Sequence, residues 1–405
     1  MILSKTFEKL IIAVMFALVY FVSVIQPSMR PVFAVVSGIM LVLFLFSTRK
    51  TIIKIDNLQL GWILTLLVVV ASMLMNGIDQ FYLLFYIICI AFILLYGNDT
   101  LDWADWCIKL IAFMGVFYAV FTFVQVAMPS FYTNNIAPLM NINTTFDPLR
   151  FMKFGIYSGF TYQTAVNAMY LSMGIGASFT LYLFSDKRKW VHLVPIILEI
   201  ICILLSAKRG HIIFSIMTLL FVAFANSSRS KKFSNTLKII VAVFVLLMLA
   251  YYFIPSANYF FEHTLNFGDD ITNGRVDRYI PALEMFKEHP VFGIGWEQFR
   301  HQYSRYSDVH NIYLQVLCET GVVGAGVFIA AFITTLIATI KQLNLALKQS
   351  YYRERKLLSF SMYGQIFFLL YGLTGNGLYD FYILFFYIFS VIVMLKTRRK
   401  ILSSR

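Results

Sequence analysis

Apolar residues along this chain come in long unbroken runs, and polar residues are confined to the stretches between them. Runs able to cross a hydrocarbon layer of roughly 30 Å, which takes about 20 helical residues, fall near 8–26, 31–47, 58–76, 80–96, 106–128, 161–184, 190–206, 210–226, 236–254, 312–340, 356–373 and 379–396. Turn-forming residues punctuate them, among them Gln26-Pro27-Ser28, Gly97-Asn98-Asp99 and Gly375-Asn376-Gly377. The alternation of a membrane β-barrel is absent. The pattern predicts an all-α polytopic membrane protein of about 12 transmembrane helices, one membrane domain over 1–405 without internal repeat. Two connections, 129–160 and 255–311, exceed what a helix bundle needs.

Composition leads to the same solvent. Of 405 residues, 60% are hydrophobic and 13% charged, too apolar a chain to close over its own side chains in water. In hydrocarbon every backbone polar group must be paired within the protein, which unbroken apolar runs achieve as helices. Cys89, Cys107, Cys202 and Cys318 lie in or beside the runs without paired or metal-ligand spacing, so they read as small core residues. The first run follows Lys5 and Lys9 as a signal sequence would. It has no small-residue cleavage site and is expected to stay as a helix.

Twelve crossings put both termini on one side, and the basic residues choose that side. Of the 33 Lys and Arg, 23 fall in one set of loops with the termini, including Lys187, Arg188, Lys189, Arg353, Arg355, Lys356, Arg398 and Arg399. By the positive-inside rule both termini are cytoplasmic. The net charge of +13 is then explained by topology and anionic lipid, and no nucleic-acid partner is indicated. The ten exceptions, which include Arg150, Lys153, Lys208, Arg209, Arg275, Arg278, Lys287 and Arg300, collect on the external side with the two long loops.

Three segments there carry candidate chemistry. Ser206-Ala207-Lys208-Arg209-Gly210-His211 is a short polar hairpin, and an Arg in it presents a planar fork to phosphate oxygens; the plainer reading is a joint whose bases snorkel to headgroups. Gly274-Arg275-Val276-Asp277-Arg278 turns into a helical stretch with Ile280, Leu283 and Phe286 on one side, suited to a membrane surface and to anion binding at its start. Arg278 has the competing option of pairing with Asp277 or Glu284. An apolar turn, Pro290 to Trp296, then leads to Asp308-Val309-His310-Asn311 at the mouth of the next apolar run. His310, with an ordinary pKa of about 6.5, suits proton abstraction from a sugar hydroxyl, with Asp308 or Asn311 to orient its ring.

Taken in order, Ser-Ala-Lys-Arg-Gly, then Gly-Arg, then His-Pro-Val-Phe-Gly-Ile-Gly-Trp, then His-Asn-Ile-Tyr-Leu-Gln-Val-Leu-Cys-Glu-Thr-Gly-Val-Val-Gly resembles the O-antigen ligase and O-antigen polymerase superfamily over residues 206–324. Members usually show Ser-x-Ser-Arg-Gly; here Lys208 precedes the arginine, and Arg209 itself is in place. The resemblance implies a GT-C-like membrane fold whose long extracytoplasmic loop contains short helices. It implies a metal-independent, inverting glycosyltransferase of the bacterial cytoplasmic membrane, without cofactor, acting on an undecaprenyl-diphosphate-linked glycan donor and a sugar acceptor. Arg209 and Arg275, assisted by Lys208 and Arg278, would bind the diphosphate; His310 would be the base; Asp308, Asn311 and Trp296 would support it. A flippase and a chain-length regulator are the partners it implies.

A surface-polysaccharide polymerase is the preferred activity, since nothing in the chain marks a special acceptor site. A ligase transferring the glycan to lipid A core, protein or cell wall would use the same residues. A lipid-linked sugar transporter is the reading from another class. Transporters place ionisable groups on broken helices near the midplane in repeated halves. The only clear mid-run acid here is Glu199, with no counterpart in another half, which argues against transport.

Overall fold

The computed structural model describes parts of 10–21 and, continuously, 55–77, 80–97, 103–140, 148–185, 189–227, 232–253, 274–303 and 308–403. The expected helix over 31–47 and the stretch 254–273 of the second long connection lie outside the described residues. The described helices are α1 (Asn57–Asn76), α2 (Gln80–Tyr96), α3 (Ala104–Ala127), α4 (Thr164–Leu183), α5 (Trp190–Leu205), α6 (Arg209–Asn226), α7 (Lys232–Phe253), α8 (Val276–Glu288), α9 (Gln298–Gln302), α10 (Ile312–Lys348), α11 (Tyr352–Tyr371) and α12 (Phe381–Ser403). No strand occurs among the described residues. Five of these helices are long and apolar enough to cross a membrane: α1, α3, α6, α7 and α10. The protein is an all-helical, multi-pass membrane protein. The four cysteines are buried.

The chain forms two compact units. The first comprises 1–33, 101–269 and 343–367. Its centre is α4, in which sixteen of twenty residues are buried although Asn167, Ser172, Ser178 and Thr180 are among them. Small residues let backbones meet there, as membrane bundles favour: a Cβ on Gly115 of α3 would lie 2.6 Å from the Cα of Gly174 of α4. Ser172 and Thr180 donate to carbonyls of their own helix, Ala168 and Gly176, whereas Asn167 forms a joint. Asn167 donates to Thr122 of α3 at 3.0 Å and to Ser206 at 3.1 Å. Gln125 of α3 accepts the backbone N–H of Ser158 and Gly159 at 2.9 and 2.8 Å.

The second unit comprises 34–100, 270–342 and 368–405. Asp56 starts α1 with a capping box, accepting from the backbone of Leu58 and Gln59 while the Gln59 side chain accepts the N–H of Asp56. Deeper in, Trp62 of α1 donates to Thr335 of α10 at 3.2 Å. The element that shapes this unit is a break in α10 at Gly321, φ 64° and ψ −170°. The turn after α8 fills that break with its own backbone. Ile294 and Gly295 donate to the carbonyls of Cys318 and Glu319 at 3.0 and 2.9 Å, and Val322 and Val323 donate to Pro290 and Val291 at 2.9 and 3.3 Å. Groups that a continuous helix would pair internally are thus paired to a loop. The approach is too close for side chains: a Cβ on Gly293 would sit 2.3 Å from the carbonyl carbon of Glu319, and one on Gly321 would sit 2.2 Å from the carbonyl oxygen of Val291. The motif around Gly293 and the motif around Gly321, twenty-eight residues apart, are two halves of one joint.

Candidate functional site

In the second unit a small apolar core supports the loop between α8 and α10. Ala282, Ile294, Phe299, Val309 and Cys318 are buried together, with Tyr279 and Met285 packed against them. Helix α8 therefore faces this core through Tyr279, Ala282 and Met285 and leaves Ile280 and Leu283 exposed, while Phe286, expected on their side, is half-buried. Arg275 is its N-cap residue, and no side chain caps the first turn, so uncapped N–H groups and a guanidinium stand together. Among the described residues Arg278 forms no ion pair with Asp277 or Glu284, the competing option raised by its sequence neighbours.

His310 closes the loop. Its φ of 60° places a non-glycine residue in the left-handed region, a conformation that must be held from outside. Asn376, in the turn between α11 and α12, holds it by accepting the His310 backbone N–H at 2.8 Å. The other end of that amide donates to Asp308 Oδ2 at 2.8 Å. Asp308 is gripped in turn by Arg300, Nη2 to Oδ2 at 2.6 Å and Nε to Oδ1 at 3.2 Å. Asp308 is thus linked to the His310 backbone through Asn376. Asn311 works as a helix cap: its Oδ1 accepts from the N–H of Tyr313 and Leu314 at 3.0 and 3.1 Å. Ile312 N–H reaches the Gly372 carbonyl at 2.9 Å, tying the start of α10 to the end of α11.

Beneath Asp308 the polar network continues. Gln315 donates to Asp308 and Glu319 at 3.5 and 3.2 Å and accepts the N–H of Val309 at 3.2 Å. Glu319, wholly buried, also accepts the N–H of Glu297 at 3.0 Å and the hydroxyl of Tyr379. Trp296 is a framework residue, buried and stacked on Tyr379 and Phe328, with its N–H on Ser72 at 2.8 Å. Sequence reading missed Arg300, Glu319 and Asn376. Glu319 corrects the statement that Glu199 is the only clear acid within a run. Among the described residues no three His, Cys, Asp or Glu side chains form a metal-ligand group.

Lys208 and Arg209 belong to the first unit. Ala207 takes a left-handed φ of 52°, Lys208 is the N-cap of α6 without a side-chain cap, and Arg209 is its first residue. The hairpin is fixed from below by Ser206, which accepts from Asn167, and by Leu205, whose carbonyl accepts the N–H of Tyr157 at 2.9 Å. Two uncapped helix starts, one in each unit, carry the arginines that the sequence singled out.

The molecule is helical and multi-pass, with a basic start to α8 and a backbone-pinned histidine at the mouth of a broken helix. Residues 194–329 match the family model described as O-antigen ligase, which bears out the resemblance to the O-antigen ligase and polymerase superfamily, whose members are glycosyltransferase-like enzymes. No curated protein matches the chain.

Proposed function

We propose that the protein is an inverting glycosyltransferase that polymerises undecaprenyl-diphosphate-linked repeat units at the extracytoplasmic face of the bacterial cytoplasmic membrane, with both termini in the cytoplasm. Its neighbours in that role would be the flippase that delivers repeat units and a regulator of chain length. What supports the reading is His310, held in a left-handed conformation by Asn376 of the turn between α11 and α12. In the reaction His310 takes the proton of an acceptor sugar hydroxyl, that oxygen bonds to the anomeric carbon of the donor, and the anomeric carbon–oxygen bond to the diphosphate breaks with inversion. Undecaprenyl diphosphate leaves with the electron pair. A diphosphate is already a good leaving group, so fixed positive charge is the main requirement. Arg275 and Arg278 are assigned to it, and the family resemblance adds Arg209 with Lys208 as diphosphate-binding groups. Metal is not required on this reading, and EDTA should leave turnover unchanged; inhibition reversed by a divalent ion would overturn that part.

The family description favours a second reading, a ligase that passes the glycan to another acceptor. Purified full-length protein given one synthetic lipid-diphosphate repeat unit separates the two. A ladder of lipid-bound multiples is expected; single transfer to an added foreign acceptor, with no ladder, identifies a ligase.

A further inference from the structure

The first unit holds a cleft of about 290 Å3 among α3, α4 and α5. Ala112, Phe113 and Val116 of α3, Leu181 of α4 and Pro195 of α5 form its apolar walls. Lys109 and His192 stand at one end. We propose that this cleft binds an anionic glycerophospholipid, with its phosphate between Lys109 and His192 and an acyl chain along the apolar walls.

Lys109 is exposed and makes no ion pair with a described acid, and it acts electrostatically on His192, a second base. Asp105, one turn back on α3, is already taken by Arg353, at 2.5 Å, and by Lys356. An anion between the two bases would pair with Lys109 and accept a hydrogen bond from His192, and among the described residues no carboxylate pairs with Lys109. Depth follows from the helix ends. Helices α3 and α5 begin and α4 ends at this level, where Trp190 is 66% exposed beside Lys189. Exposed Trp and Lys at helix ends mark the membrane–water interface, where lipid phosphates lie. From Lys109 to Val116 the cleft runs seven residues along α3, roughly 10 Å into the apolar layer. Phe113, 63% exposed, flanks that path. Pro195 widens it, since a helix-interior proline lacks its N–H and pushes off the preceding turn. The volume accommodates roughly ten groups of about 30 Å3 each, a substantial part of an acyl chain.

The test uses the full chain in phosphatidylcholine nanodiscs doped with phosphatidylglycerol that carries a photoactivatable acyl chain. Irradiation is expected to label Phe113, Val116 or Leu181. The double variant Lys109→Ala, His192→Ala should lose labelling on the order of tenfold. Ala112→Phe, which fills the cleft without altering charge, should do the same and keeps the test alive if the double variant fails to fold, as judged by thermal unfolding. Equal labelling by a phosphatidylcholine probe of the same chain would overturn the anionic assignment. Label spread evenly over the exposed apolar face of α7, or unchanged in Ala112→Phe, would overturn the site.

Discussion

Glu199 of the first unit and Glu319 of the second are both wholly buried acids inside apolar helices, and the two are housed in opposite ways. Glu199 lies in a notch made by missing side chains: a Cβ on Gly115 would come within 2.2 Å of its Oε1 and one on Gly174 within 2.5 Å, with Ser178 as its polar neighbour. Glu319 is surrounded by donors, from the Gln315 amide, the Glu297 backbone and the Tyr379 hydroxyl. One acid is accommodated by packing, the other is the base of a polar frame that rises through Gln315 and Asp308 to the backbone of His310. The difference teaches where chemistry is concentrated. A buried polar network confers rigidity when every member is satisfied, and here the rigidity converges on one histidine.

The comparison breaks first if His310 is dispensable. His310→Ala should lower product formation on the order of a thousandfold, the range of a lost general base, while the protein stays in the membrane at normal level. Retained long-chain glycan in cells carrying the variant would remove the reason for the frame. The joint beneath comes next. Gly321→Ala drives a Cβ to 2.2 Å from the Val291 carbonyl oxygen at a φ of 64°, and should cost roughly 3 kcal/mol, read as a lowered thermal unfolding midpoint. An unshifted midpoint would mean that the loop and the half-helices are not interlocked.

Asn376→Ala sharpens the comparison, because it removes one amide that serves both His310 and Asp308. A loss of about 2 kcal/mol in transition-state stabilisation is expected, a fall of some tens of fold in kcat with KM for the lipid donor little changed. A change in KM alone would assign Asn376 to donor binding instead.

How much of this was legible in the sequence depends on the scale of the signal. Helices α1 to α7 follow apolar runs because burial in lipid demands length and apolarity, both visible residue by residue. Arg209, Arg275 and His310 stand out as candidates because motifs place them in polar stretches of an otherwise apolar chain. Asn376 and Arg300 were not. Asn376 sits between two glycines and reads as turn punctuation, while its partner His310 lies sixty-six residues away. Glu319 was hidden for another reason: it stands seven residues into a long run whose break at Gly321 is made by hydrogen bonds to a distant loop, and such bonds leave no periodicity. The amphipathic stretch of α8 was legible in its exposed Ile280 and Leu283 though not in the half-buried Phe286, and its packed side, Tyr279, Ala282 and Met285, became visible only with the core it joins.

The smallest expected effect is also the one that discriminates best between the two acids. Glu319→Gln exchanges one acceptor oxygen for a donor NH2 where the surroundings are already donors, so one of the bonds from Gln315, Glu297 or Tyr379 is lost, at about 1–2 kcal/mol. Glu199→Gln keeps the shape of a group that is housed by fit, and should alter both stability and turnover by less than about 0.5 kcal/mol. A broken helix with a buried acid is also the signature by which transporters handle coupling ions. In α10, however, the break is filled by residues 290–295 of the same chain, and Glu319 is engaged by its neighbours. Activity abolished by Glu199→Gln in a protein of unchanged stability would show that a titratable carboxyl works inside the first unit, and the transport reading would return on the strength of that residue.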